Sequence, residues 1–223
     1  MINKISVLHE FDFPLAEAVK MKNLYCAYGD GIQLFCQAET GAVISLLDGG
    51  VIICGKINAA EVKSFLSFIK PVSVFSSADD LVELYGKSGF CELNVIILKK
   101  PARIPSAGYI NDIKSQEIFD ILSSGGFELP PYEYFATDYC RRKNMGLLKV
   151  FAKKDTCAAI TLEDEKYRLL EGIVSNKKGA GGALLTAATS GLKPVLAVCR
   201  DELLPFYYKF GFEPLYKAGV WRK

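Results

Sequence analysis

The chain has 223 residues, with 27 Lys+Arg against 25 Asp+Glu, a formal net charge of +2, and hydrophobic side chains at half of its positions. That balance is the one expected of a soluble globular protein, and neither half is basic enough to form a nucleic-acid surface. No run approaches the roughly 18 apolar residues of a membrane span. The opening MINKISVLHE lacks a signal-peptide pattern, so a cytoplasmic protein with no membrane partner is expected.

Taken in chain order, QLFCQ, AVISLL and GVIICGK read as strands, with Asp48-Gly49-Gly50 as a tight hairpin turn between the last two. AAEVKSFLSFI reads as a helix, PVSVF as a short buried strand, the stretch through Asp79, Leu81 and Tyr85 as an amphipathic helix, and ELNVIIL as a strand. KKPARIP is the linker candidate, followed by a strand at IPSAGYI and helices at SQEIFDILSSGG and YEYFATDYCRRK. LLKVFAK, CAAITLE and YRLLEGIV read as strands, ALLTAAT as a helix and PVLAV as a strand. Near the end, Leu203, Phe206, Tyr207 and Phe210 fall at i, i+3, i+4 and i+7 and line one helical face. Pro205 requires that this helix start near Asp201, and EPLYKAGVW follows as the last strand.

The two halves repeat one another. Lys70-Pro71-Val72 through Leu93 aligns with Lys193-Pro194-Val195 through Leu215, with ten identities over 23 paired positions and one single-residue gap. Chance would give about one or two at average residue frequencies. The expectation is two similar α/β (α+β) domains, 1–100 and 104–223, in which antiparallel hairpins precede a strand–helix–strand–helix–strand ending.

The seven cysteines are scattered and form no C-x-x-C pair, so free, buried thiols are expected. His9 is the single histidine and the thiol spacings suit no zinc site, so no metal is expected; His9 itself reads as a surface or strand residue.

Chemistry concentrates in Glu171-Gly172-Ile173-Val174-Ser175-Asn176-Lys177-Lys178-Gly179-Ala180-Gly181-Gly182-Ala183, an apolar strand entering a glycine-rich turn and then a helix. Backbone N–H groups and the positive helix end then converge on one spot, which favours an anion such as a pyrophosphate. The other reading of the same glycines is tight strand–helix packing. A Walker loop fails for want of a Lys-Ser or Lys-Thr, and G-x-G-x-x-G fails at Leu184.

These residues resemble the GNAT superfamily of N-acetyltransferases. Gly179-Ala180-Gly181 matches the end of its acetyl-CoA turn [QR]-x-x-G-x-[GA], and Tyr207-Tyr208-Lys209-Phe210-Gly211-Phe212 matches the end of its later helix signature. The resemblance covers about 104–223. Asn176 stands where the family has Gln or Arg, and Arg200 and Leu203 replace its Asn and Ala. What the resemblance implies is acetyl-CoA as cosubstrate, held by Ile173, Val174, Ser175, Lys177, Lys178, Gly179, Ala180, Gly181, Gly182 and Ala183, and an amine acceptor, small molecule or peptide. Glu171 is the base candidate or else a paired strand glutamate, and Tyr207 the acid that protonates the leaving thiolate or else a core aromatic. A phenol near pKa 10 stays protonated at pH 7, as a donor must. Lys177 and Lys178 read equally as phosphate partners or solvated loop lysines. The first half, with Lys56-Ile57-Asn58-Ala59 opposite the glycine turn, reads as a degenerate copy that supports the catalytic domain or walls the acceptor groove. The alternative for the whole is a non-catalytic GNAT-like binding or interaction module, monomeric or homodimeric.

Overall fold

The computed structural model describes residues 1–8, 15–102, 108–109, 112–153 and 156–223; His9 and most of the strand read at IPSAGYI lie outside them. The chain divides into two compact units, one made of Met1–Ile96, Val198–Pro205 and Pro214–Lys223, the other of Ile97–Ala197 and Phe206–Glu213. Each is a mixed, largely antiparallel sheet with helices. No helix among the described residues is long and apolar enough to cross a membrane.

The first unit begins with β1 (Ile2–Ile5), α1 (Ala16–Tyr28), β2 (Gln33–Gln37), β3 (Val43–Leu47) and β4 (Gly50–Cys54). β1 to β4 form an antiparallel meander. Asp48 and Gly49 both have positive φ, 48° and 79°, as a two-residue turn that follows the strand twist requires. α2 (Ala59–Ile69) starts where Asn58 accepts a hydrogen bond from the Glu61 N–H. It leads to β5 (Ser73–Ser77), which runs parallel to β4 over three residues, Gly50–Ile52 opposite Ser73–Phe75. α3 (Ala78–Tyr85), capped by Ser77, and β6 (Cys91–Leu98) follow. Ile44, Ile53, Val62, Val74 and Leu81 fill the core between strands and helices.

The sequence reading missed α1. Its buried residues include Glu17 and Asn23 among Ala16, Val19 and Met21, so polar residues interrupt the apolar stripe.

The second unit opens with α4 (Ser115–Ser124) and α5 (Tyr132–Asn144), joined by edge-to-face contacts of Phe119 with Tyr132 and Phe135. β7 (Leu148–Lys153), β8 (Cys157–Glu163) and β9 (Arg168–Ser175) form an antiparallel meander. α6 (Ala180–Thr189) then leads to β10 (Val195–Cys199), parallel to β9. Buried Arg168 ties the end of α6 to the start of β9. Its guanidinium donates to the Ala188 and Ser190 carbonyls at 3.0 and 2.9 Å and to Glu163 at 2.7 Å. A 3-10 turn over Asp201–Leu203, part of the first unit, precedes α7 (Leu204–Tyr208), whose first turn holds Pro205 and whose remainder from Phe206 belongs to the second.

The last strand, β11 (Glu213–Arg222), departs from the division at 104 read from sequence. Ala218–Arg222 pairs antiparallel with Ser73–Ser77, so the first unit has the strand order β1-β2-β3-β4-β5-β11-β6. Gly219 lies beneath Phe90 and Leu81, where a Cβ would come within 2.5 Å of the ring, and Trp221 stacks on Tyr85 at 4.6 Å. The seven cysteines are all free, but Cys26, Cys91 and Cys140 are exposed and Cys36 is half-buried. The expectation of buried thiols therefore fails for these four: Cys26 and Cys140 lie on the exposed faces of α1 and α5, and apolar neighbours in β2 and β6 do not say which face Cys36 and Cys91 take.

Candidate active site

β9 carries the feature that sets the second unit apart. Thr161 pairs with Leu170 and Ile160 with Gly172, so Glu171 is the extra residue of a β-bulge. A bulge re-aims a side chain and bends its strand. The parallel ladder to β10 covers only Arg168–Leu170, opposite Val195–Ala197. Glu171 thus stands where β9 and β10 part, with Ile173, Val174 and Ser175 beyond it on the diverging end. In the first unit β4 also parts from β5 after three pairs, but the β3–β4 register runs without a bulge.

Glu171 faces a guanidinium. Arg142 of α5 lies 3.4 Å from its carboxylate and also pairs with Asp138 one turn back on the same helix. The two residues sit 29 positions apart in sequence, so no local pattern announced the pair. It brings α5 to the strand that carries Glu171. The end of α4 and the connection after it pack on β9 and the turn beyond: Phe127 contacts Gly172, and Asn176 donates to Ser124 at 2.9 Å.

Past β9, Asn176, Lys177, Lys178 and Gly179 form a four-residue exposed turn, and Gly179 is the N-cap of α6 at φ 85°. Among the described residues no side chain caps α6, and its first turn holds no acidic residue; past the Ala180 N–H, which bonds the Lys177 carbonyl at 3.1 Å, the next backbone N–H groups and the positive end of the helix remain available. α2 of the first unit contrasts with it. Asn58 and Glu61 occupy its first turn, and buried Gln37 hydrogen-bonds to both. Strand ends also align the two turns: Gly55–Asn58 matches Asn176–Gly179 in length, shifting the correspondence read from sequence by two residues.

Ala180, Gly181 and Gly182 are half-buried and Ala183 is exposed. Gly181 lies against Phe206, and a Cβ on Gly182 would fall 2.7 Å from the Phe210 ring. Close packing on the aromatic face therefore uses Gly182, while the turn uses Gly179; the two readings of these glycines divide between positions. Tyr207 is buried, 3% exposed, edge-to-face with Phe206 and Phe212.

By sequence the chain matches no family model and no curated protein. Its structure is similar to a GCN5-related N-acetyltransferase from Sphaerobacter thermophilus, at 15% identity over 87% of this chain and 81% of that one, with a TM-score of 0.54. It is similar as well to a tandem GNAT protein from the clavulanic acid biosynthesis pathway, solved without AcCoA: 14% identity, 95% and 90% coverage, TM-score 0.56. A GNAT-family acetyltransferase from Colwellia psychrerythraea matches end to end at 12% identity and TM-score 0.50. The chain has the GNAT fold. Strand–helix–strand passages in which a parallel pair parts after three residues occur once per unit, at β4-α2-β5 and β9-α6-β10. Of these two GNAT-like passages, the one in the second unit holds the bulge, the uncapped helix and the carboxylate–guanidinium pair.

Proposed function

We propose that the second unit is an acetyl-CoA-dependent N-acyltransferase that acetylates a primary amine. The observation that carries this reading is the bulge at Glu171 beside the parting of β9 and β10, followed by a helix with an open N-terminus. The residues present fit the cosubstrate. The turn at Lys177–Gly179 and the first N–H groups of α6 suit a diphosphate, with Ala180–Ala183 beneath it. The diverging edge of β9 at Ile173–Ser175 suits an extended pantetheine arm. Bound acetyl-CoA supplies the thioester carbonyl.

The chain's own groups then have three tasks. Glu171 takes the proton that the acceptor ammonium must lose before it becomes nucleophilic, directly or through water. The Arg142 contact holds that carboxylate in place. The backbone N–H at Val174–Ser175 donates to the oxygen that develops negative charge, and a preformed donor of this kind needs no reorganisation. The Tyr207 hydroxyl gives its proton to the departing thiolate, so the proton account balances: one taken from the amine, one given to sulfur.

Acetyl transfer to a panel of primary amines, followed by mass spectrometry of the product, tests the reading. Glu171→Gln and Tyr207→Phe should each lower kcat by about 100-fold with acetyl-CoA affinity unchanged. Absence of acetyl-CoA binding by calorimetry would remove both the cosubstrate and the enzyme. One observation favours a second reading, an acyl-CoA-binding module without turnover: Tyr207 is enclosed by Phe206 and Phe212. Binding of acetyl-CoA with no product from any amine would select it.

A further inference from the structure

A cleft of about 610 Å³ opens in the first unit, where β4 and β5 stop pairing. Its size is that of small-molecule sites generally. Ile53 and Cys54 of β4, Ser77 and the start of α3, Glu17 of α1 and Tyr216 of β11 line it. Topologically this is the counterpart of the β9–β10 opening, but its chemistry is reversed.

Three features set that chemistry. First, Glu17 is only 3% exposed; one carboxylate oxygen accepts the Tyr216 hydroxyl, and the other has no hydrogen-bond partner among the described residues. A buried carboxylate oxygen left this way costs free energy until a donor reaches it. Second, among the described residues four carboxylates line the cleft, Glu17, Asp79, Asp80 and Glu83, against one lysine, Lys56. Third, the three helices that start at its walls have occupied N-termini: at α1 the Ala16 N–H donates to the Tyr216 hydroxyl at 2.9 Å and Glu17 stands in the first turn. Asn58 and Glu61 close α2, and Ser77 closes α3, whose first turn carries Asp79 and Asp80. No positive helix end is left for a phosphate.

We propose that this cleft binds a small aliphatic amine in its ammonium form, held by Glu17 and Asp80. An ammonium offers three donors and a positive charge, which meets the open oxygen of Glu17 and offsets the acidic lining. Ile53, Ile57 and Val82 suit its hydrocarbon body. Among the described residues no group of three or more His, Cys, Asp or Glu converges to hold a metal ion, which favours an organic cation. Burial pushes the Glu17 carboxyl above its ordinary value, the Asp80 charge pushes the same way, and a bound ammonium acts against both. The site is independent of the proposed acetyl transfer, since it uses none of the residues of the second unit.

Calorimetric titration of the full chain with butylamine and 1,4-diaminobutane, with 1-butanol as the uncharged control, tests the site. Saturable heat is expected for the amines and none for the alcohol. Glu17→Gln should weaken amine binding about tenfold or more, and Asp80→Asn serves as the second arm should the first variant fold poorly. Glu171→Gln separates this cleft from the acceptor site of the second unit, and it should leave the affinity unchanged. The proposal is overturned if wild type gives no saturable heat, if the Glu17 and Asp80 variants bind as wild type does, or if Glu171→Gln alone abolishes binding.

Discussion

Gly182 is defined by what it touches. A methyl group there meets the Phe210 ring at 2.7 Å, so Gly182→Ala forces the ring aside and should cost about 1–3 kcal/mol, read from urea unfolding. Glu17 is defined by its burial, and its effect depends on pH. Its folded carboxyl binds protons more tightly than the unfolded one, because desolvation outweighs the Tyr216 hydrogen bond. The folded state therefore holds more protons once pH exceeds the ordinary carboxylate range, and stability falls as pH rises through that window. Glu17→Gln should match wild type in acid and exceed it in Tm near neutrality, in thermal melts from pH 4 to 8. At this scale the sequence pointed to Glu171 and Tyr207 through motif position. It could not pair Glu171 with Arg142 or Glu17 with Tyr216, because those contacts join elements 29 and 199 residues apart.

Elements were the most legible level. β2 and α2 lie where alternation and periodicity put them, since each has one face in a core and one in water, while β8, buried from Cys157 to Leu162, was legible as a short run of mostly apolar residues. α1 escaped because Glu17 and Asn23 occupy its buried side. The bulge at Glu171 escaped for another reason: it exists only relative to a partner, and the β8 register is not written in β9. Arg168 shows how one residue joins two elements. It sits at the start of β9, yet neutralises the carbonyl end of α6 and pairs with Glu163, both partners largely buried. Arg168→Met should lose about 3 kcal/mol in urea unfolding, because two carbonyls lose their charged donor and Glu163 is left with Thr161 and Lys149 at 3.3 and 3.4 Å.

Across the whole molecule, duplication and strand assignment part company. The repeat aligns β11 with β6 by sequence, yet β11 completes the first unit by pairing with β5 and covering Phe90 and Leu81. A chain ended after Phe212 should therefore lose hydrogen-exchange protection at Ser73–Ser77, while amides of β8 stay protected. Equal loss in both places would argue against the assignment of β11 to the first unit. Composition, hydrophobic period and the internal repeat were enough to determine two copies of one α/β pattern and the single glycine turn between strand and helix. Those properties are local, set by side-chain period and turn chemistry over a few residues. Which unit owns the last strand, where β9 bulges, and which carboxylates are buried were decided only in three dimensions. Strand partners and burial depend on residues far apart in the chain, and neither follows from any one segment's own pattern.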